Sequence, residues 1–353
     1  MNAPTEKPAP PSRNQAATAR KPSLAILIVN WNSKDYVRKC LESIEATARG
    51  RVDEIIVVDG ASFDGCEEML AREFPEVQFV QCQENVGFGR ANNIGARHAT
   101  SELLLLLNPD TELAEGALET MVDEFLSLPD CGLAGPRLLN SDGSLQTSCV
   151  QAFPTPLNQL LGSELTYRLF PGSGLWGHAH AFRAKAPVGV EAVSGACMLL
   201  RTETFREVAG FGAEYFMYGE DLDLCAKIAA LGMKVYHIPE AEVTHHGGGC
   251  SARQTSRFSA VLLRESNFRF ISTYQGKFAA WLYRAVMAAS ALLRLGLLAP
   301  AKLLTRGRRR ESCAAALSKW TAVLRWALGL ERWAAEKSKL PAQAPAPLAR
   351  EGT

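Results

Sequence analysis

The chain has no C-x-x-C pair and no tight cysteine cluster. Its nine cysteines are scattered from Cys40 to Cys313. That spacing excludes a zinc ribbon or a dense disulfide frame and leaves the reduced core thiols of a cytosolic protein. There is no charge imbalance either. A formal net charge of +1 offers no basic field to nucleic acid, so no nucleic-acid partner is expected. No run reaches about 18 uncharged apolar residues, the length of a spanning helix. The first 22 residues, rich in Pro, Ala and polar groups, lack an apolar segment and read as a disordered tail, not a signal peptide. What is present is 353 residues, 47% hydrophobic and 21% charged, enough to bury a large core in one large domain or two small ones.

The most informative stretch is Leu103-Leu104-Leu105-Leu106-Leu107-Asn108-Pro109-Asp110-Thr111. Five leucines without helical or alternating period read as a strand buried on both faces, as in a parallel sheet. Pro109 stops the strand and delivers Asp110 just past its carboxyl end, where open α/β sheets bind ligands. Asp110 is placed there either to hold a divalent cation on a phosphate or to cap a helix beginning near Glu115.

Upstream, Leu24–Val29 is a strand ending in Asn30-Trp31-Asn32-Ser33, with Ser33 set to cap a helix through Arg49. Glu54–Val58 is a second strand, ending at Asp59; a short helix runs to Phe74, and Val77–Val80 is a third strand. Gly87-Phe88-Gly89-Arg90-Ala91-Asn92-Asn93 leads into a helix ending near Ala99, and another helix spans about Glu115–Leu128. The Gly87 turn fails the dinucleotide fingerprint at Asn92. Its glycines still allow close backbone approach, and Arg90 with the helix amino end can face a diphosphate. Alternating strands and helices imply βαβ units and a parallel sheet. Asn30, Asp59 and Asp110 then share one edge, which suggests a nucleotide cleft.

Asn140–Ser144 reads as a hairpin turn, and the Pro- and aromatic-rich stretch from Gln151 to Val190 as a lid or acceptor-contacting loop that includes Trp176. Val193–Arg201 is a strand, with Thr202 capping the next helix. Glu220 and Asp221 open a helix; they complement its dipole, or one of them faces the cleft as a general base. Lys234–Tyr236 is a short strand, and Val243-Thr244-His245-His246-Gly247 a flexible loop carrying an imidazole ligand. Beyond Ser256 the chain reads as helical. Phe278–Leu304 is apolar but interrupted by Arg284, Arg294 and Lys302. Arg306, Arg308, Arg309 and Arg310 follow, then a stretch with Trp320, Trp326 and Trp333. Apolar, Trp-bearing faces beside basic clusters fit helices lying in an anionic membrane surface, or else packing on the core.

The ordered set V-N-W-N, V-V-D-G-A-S, N-V-G-F-G-R-A-N-N-x-G, L-L-L-N-P-D-T, V-S-G-A-C-M-L-L-R, F-M-Y-G-E-D-x-D-L-C and V-T-H-H-G-G-G resembles the inverting glycosyltransferases of family 2, in their rhamnosyltransferase-like branch. The match covers about residues 23–251. Gly60, where Asn is usual, and Cys250, where Ser is usual, depart from the pattern. The resemblance implies a GT-A fold: α/β, Rossmann-like, with a mostly parallel central sheet flanked by helices. The corresponding division is a tail at 1–22, a catalytic domain at 23–255 (nucleotide-binding half 23–136, acceptor-binding half 137–255), C-terminal amphipathic helices at 256–340 and a tail at 341–353. It implies a nucleotide-diphosphate sugar donor such as dTDP-rhamnose, a divalent cation (Mg²⁺ or Mn²⁺), and a glycan or lipid-linked glycan acceptor in cell-surface polysaccharide synthesis. By resemblance, Asp221 is the catalytic base, with Glu220 shaping the acceptor pocket beside Trp176 and Tyr218. Asn30, Asn32, Asp59, Arg90, Asn93, Asn108 and Asp110 contact the donor, Asp59 reading its base. The metal falls to Asp110 and His245, with His246 as the register alternative. A cytoplasmic enzyme, peripheral on the inner face of the cytoplasmic membrane, is expected. The rivals are a non-catalytic carbohydrate-binding relative and a processive polysaccharide synthase.

Overall fold

A computed structural model of the chain describes residues 21–48, 50–161, 180–247 and 256–337. The first half alternates as its apolar runs dictate: β1 (Leu24–Asn30), α1 (Lys34–Ala48), β2 (Glu54–Asp59), α2 (Cys66–Glu73), β3 (Gln78–Gln81), α3 (Phe88–Gly95) and β4 (Leu103–Leu107). Strands β3-β2-β1-β4 lie side by side and parallel. The five leucines of β4 divide between the two faces. Leu103, Leu105 and Leu107 join the core under α1, α2 and α4, whereas Leu104 and Leu106 join the opposite core with Ala91 and Leu222. Burial on both sides explains why the run has no period.

The next elements are β5 (Thr111–Leu113), α4 (Ala117–Ser127), β6 (Cys131–Leu139), β7 (Val150–Gln151), α5 (Pro156–Leu161), β8 (Val188–Val190), β9 (Ala192–Val193), β10 (Cys197–Arg201), α6 (Thr202–Glu207), α7 (Glu220–Ala230) and β11 (Lys234–His245). The main sheet continues β4-β10-β6-β11-β5, with β8 also on β11. Here the sheet is mixed: β10 runs antiparallel to β4 and β6, and β11 antiparallel to β5 and β8. The eight cysteines among the described residues are free thiols, all but Cys313 buried.

Several sequence expectations are corrected here. β5 separates Asp110 from α4, and α4 starts after Gly116 at φ 73°, so Asp110 caps no helix. Thr202 is the first residue of α6 and not its cap; its hydroxyl donates to the Ser101 carbonyl at 2.6 Å. The short strand at Lys234 extends twelve residues to His245, past a register shift between Ile238 and Glu242 where Pro239 sits. α3 ends at Gly95, short of Ala99, and there the chain presses on the sheet: a Cβ would lie 2.3 Å from Leu27 Cδ1 and 2.7 Å from Val58 Cγ2.

The chain then forms α8 (Ser256–Tyr274), α9 (Lys277–Leu304), α10 (Gly307–Ala327) and α11 (Arg332–Lys337). These helices pack around Val261, Tyr283, Met287 and Trp326, and Phe216 of the preceding half belongs to the same cluster. α9 is 28 residues long and is the one helix among the described residues long and apolar enough to cross a membrane by length and composition. The two arginines that interrupt its apolar sequence turn inward. Arg284 donates to the carbonyls of Ala327 and Trp326 and lies over the Trp326 ring. Arg294 bonds Ser290 and lies over Trp320. The outward stripe through Phe278, Trp281, Leu282, Leu292, Leu293, Leu297, Leu303 and Leu304 is therefore free of the two arginines, with Phe278 84% and Leu304 86% exposed, while the third interrupting charge, Lys302, is half-buried in the last turn.

Candidate functional site

Asn30 and Asp59 end neighbouring parallel strands in register. The Asn30 amide donates to Asp59 Oδ2 at 2.6 Å, and Asp59 Oδ1 accepts from Ser62 N at 2.8 Å and Gln81 Nε2 at 2.9 Å. Asn30 Oδ1 in turn accepts from Ser33 N, and Asp64 from Lys34 N at 2.9 Å. This buried network sets the loop after β2 against the amino end of α1, so that Trp31 and Gly60 face the cleft. Asn32 sits at φ 53° and is exposed outside that lining. From this turn it is Trp31, not Asn32, that lines the cleft.

At the end of β4, Asn108 N donates to the Ala196 carbonyl, and Thr111 Oγ1 donates to the Asn108 carbonyl at 2.7 Å. These bonds hold Asn108-Pro109-Asp110 in the cleft wall. His245, at the end of β11, meets them. Its Nε2 lies 3.3 Å from Asp110 Oδ1 and 3.3 Å from Asn108 Nδ2, while its Nδ1 donates to Gln146 Oε1 at 2.7 Å. Gln146 thereby orients the ring and turns Nε2 towards Asp110 and Asn108. Asn108 Oδ1 is buried without a partner. Carboxylate, orphaned amide oxygen and imidazole nitrogen form a donor set that fits Mg²⁺ or Mn²⁺. Among the described residues no three His, Cys, Asp or Glu cluster for a metal, so phosphate oxygens and water would complete such a site. His246 is excluded from it. Successive side chains of an extended chain point oppositely, and His246 reaches Glu112 Oε1 at 2.8 Å and Ser141 Oγ at 2.8 Å.

Across the cleft, α7 opens after Gly219 at φ 81°. Asp221 Oδ2 accepts from Gln151 Nε2 at 2.8 Å and from Gly195 N at 3.2 Å, and its Oδ1 from Leu222 N. Burial still raises its pKa. Burial first, and then the Asp221 charge, push Glu220 up to about 8, and Glu220 Oε2 has no partner. At neutral pH Glu220 is therefore the carboxyl of the pair that keeps its proton. Folding takes up a proton at Glu220, since its native value exceeds the ordinary 4.5. The stability it contributes is full below pH 4.5 and is lost as pH rises towards about 8. Glu220→Gln should flatten this decline, read as melting temperatures compared across that window; an unchanged slope would contradict the assignment.

Asp110, Asn108, His245, Tyr218, Glu220 and Asp221 all line one cavity of about 930 Å³. Of the expected donor residues only Asn108 and Asp110 line it; Asn30, Asn32, Asp59, Arg90 and Asn93 lie outside the lining, Asn30 and Asp59 being held in the buried network behind Trp31 and Gly60. Arg90 is nearly buried, and its Nε and Nη2 donate to the Ala213 carbonyl. Asn93 exchanges two bonds with the Phe211 backbone, at 2.8 and 2.9 Å. Both tie α3 to the loop that leads into α7. The close approach permitted by Gly87 serves the same loop, since a Cβ there would lie 2.2 Å from the Phe216 carbonyl oxygen. Trp176 and Cys250 lie outside the described residues. Gln146, Gln151, Gly195, Leu263, Arg264 and Asn267 also line the cleft, and sequence reasoning missed them. No spacing marks the first three; the last three lie on α8, in the C-terminal helical region that was read as resting on a membrane surface or packing on the core.

The family model described as glycosyl transferase family 2 matches residues 25–186, and that described as N-terminal domain of galactosyltransferase matches residues 178–247. Over 303 residues, 82% of this chain and 96% of the relative, the chain is 26% identical to N-acetylglucosaminyl-diphospho-decaprenol L-rhamnosyltransferase of Mycobacterium tuberculosis. It is 25% identical over 233 residues, 63% of this chain and 82% of the relative, to rhamnosyltransferase WbbL of Escherichia coli. Among solved structures, mannosyltransferase PcManGT from Pyrobaculum calidifontis, in complex with GDP-Man and Mn²⁺, shares the fold with a TM-score of 0.50 at 19% identity, over 88% of this chain and 87% of that one. The architecture is that of the GT-A class.

Proposed function

Because the chain belongs to glycosyltransferase family 2, we propose that it moves a sugar, rhamnose as the leading donor, from a nucleoside diphosphate to a hydroxyl of a glycan or lipid-linked glycan. One observation carries this reading: Asp221 and the Asp110–Asn108–His245 group line the same cleft. Asp221 takes the proton of the acceptor hydroxyl as its oxygen attacks the anomeric carbon from the face opposite the leaving diphosphate, which inverts the anomeric configuration. Gln151 and the Gly195 amide hold the carboxylate in place. Asp110, Asn108 and His245 would hold a divalent cation, which when bound neutralises charge building on the diphosphate. Protonated Glu220 lines the acceptor side with Tyr218. The relatives' names support rhamnose as donor sugar. A thermal-shift screen of nucleotide sugars with and without Mn²⁺, dTDP-rhamnose first, tests the reading: the expected result is a shift that needs both. Hydrolysis of that donor in the presence of metal separates an enzyme from a non-catalytic carbohydrate-binding relative.

The apolar stripe of α9, ending beside Arg306, Arg308, Arg309 and Arg310, supports a peripheral seat on the anionic inner face of the cytoplasmic membrane. Removing the chain after Tyr274 would strip Tyr283 and Trp326 from their shared core, so a surface change is the better test. Leu293→Glu with Leu297→Glu, both on the exposed stripe, should abolish flotation with anionic liposomes and leave the melting temperature in place. Equal flotation of both proteins would remove the membrane seat.

A further inference from the structure

The carboxylate of Asp59, at the end of β2, is already filled by the protein. Its Oδ1 accepts from Ser62 N at 2.8 Å and Gln81 Nε2 at 2.9 Å, and its Oδ2 from Asn30 Nδ2 at 2.6 Å and from the Ser62 hydroxyl. Four donors occupy the four lone-pair sites of a carboxylate, and the residue is 1% exposed. It has no acceptor site left for a ligand. Another polar group does face the cleft at this end. Cys82 N donates to the Asp59 carbonyl at 2.9 Å, which lays the loop after β3 beside Gly60. Asn85 of that loop lines the cleft with Gly60 and Trp31. Its Oδ1 accepts from Gly87 N at 3.0 Å. A backbone N–H can only donate, so this bond fixes which end of the carboxamide is the oxygen. The Nδ2 end has no partner among the described residues.

Strand order sets this group apart from the cation-binding end. Strands β3-β2-β1-β4 lie side by side and parallel, so Asn85, Gly60, Trp31 and Asn108 follow one another along the carboxyl edge. Gly60 and Asn85 thus lie two to three strand spacings from the end of β4, about 10–14 Å. That is the reach from a diphosphate to the base of its nucleoside. Trp31 supplies a flat face there. A Cβ at Gly60 would lie 3.7 Å from Trp31 Cδ1, so the missing side chain leaves the indole uncovered. A carboxamide N–H beside that face calls for a carbonyl on the base. Thymine, uracil and guanine carry one, where adenine presents an amino group. We propose that Asn85 reads the donor's base, its Nδ2 donating to a carbonyl of a base stacked on Trp31, and that Asp59 shapes the site without touching the ligand. The donors selected are then the carbonyl-bearing nucleoside diphosphates as a class, with adenosine diphosphate disfavoured. The proposal rests on the glycosyl-transfer reading above and narrows its donor.

The test is titration calorimetry of UDP, dTDP, GDP and ADP in Mn²⁺ with full-length wild type, Asn85→Asp, Trp31→Ala and Asp59→Asn. Wild type should bind UDP, dTDP and GDP within about tenfold of one another, and ADP at least about fivefold more weakly than UDP, the worth of one hydrogen bond. Asn85→Asp keeps the oxygen that accepts from Gly87 N. It should lower the ratio of UDP to ADP affinity at least about tenfold, because a carboxylate repels the carbonyl and accepts from the adenine amino group. Trp31→Ala should weaken all four about 10- to 100-fold and leave that ratio in place. Asp59→Asn should lower the melting temperature, since it breaks the buried network, and also leave the ratio in place. Circular dichroism establishes folding; if Asp59→Asn is unfolded, Asn85→Asp still decides. A ratio that stays in Asn85→Asp, or that moves in folded Asp59→Asn, would overturn the proposal. So would equal binding of ADP and UDP by wild type, or one of the other nucleotides bound more than about 100-fold more tightly than the rest. Each of those results leaves the glycosyl-transfer reading intact. Failure of wild type to bind any of the four would remove that reading and the proposal together.

Discussion

Asp221→Asn is expected to keep donor binding and to lose about 10²–10⁴-fold of turnover, the usual worth of general-base help. The asparagine keeps the size of the side chain and one oxygen to accept from the Gly195 amide or from Leu222 N. What it loses is the lone pair basic enough to take a proton. The structure adds a reason for the base strength. Asp221 is held in a buried pocket that raises its pKa, beside a Glu220 that stays protonated up to about 8. The measurement is a steady-state comparison of turnover with donor affinity taken from thermal shift. Near-wild-type turnover removes Asp221 from the role. Loss of donor binding together with turnover makes it a structural residue.

The second large effect is expected at Asp110. Asp110→Ala should weaken donor binding in Mn²⁺ by at least about tenfold, or 1.4 kcal/mol, and should have little effect in EDTA. Asp110 is the only anionic member of the donor set, so its removal leaves Asn108 and His245 to hold a divalent cation with neutral atoms. The backbone should survive, because the Asp110 carbonyl still accepts from His246 N at 2.9 Å. His246→Ala provides the contrast. Its ring is committed to Glu112 and Ser141, so the metal dependence of donor binding should not move. Titration calorimetry of the nucleotide sugar decides both. An Asp110→Ala isotherm unchanged in Mn²⁺ would sink the metal assignment, and a large His246→Ala effect would reverse the choice of histidine.

The two histidines show how far a local pattern reaches. His245-His246 is legible in sequence as an imidazole source, but the face each presents depends on the register of β11 against β5, set by pairings 130 residues apart. Arg90 and Asn93 fail for a related reason. A basic or amide side chain at the amino end of a helix suits a phosphate, yet here the loop at 209–219 arrives first and its carbonyls take the donors. Gly87 was readable as a place of close approach, but the approaching group is the chain's own Phe216.

The sequence by itself determined the alternating strands of the first half, the strand ends at Asn30 and Asp59 and the delivery of Asp110 past β4, because doubly buried apolar runs and a proline stop are local facts. The acidic start of α7 was legible for the same reason. Only the tertiary structure decided the mixed second half of the sheet, which of His245 and His246 turns towards Asp110, the burial that raises the Glu220 pKa and the cleft wall contributed by α8. Those depend on desolvation and on contacts between residues far apart in the chain, which no periodicity records. The clearest instance is α9. Its sequence is broken by arginines, and only packing on α8 and α10 turns those arginines inward and leaves an apolar face outside.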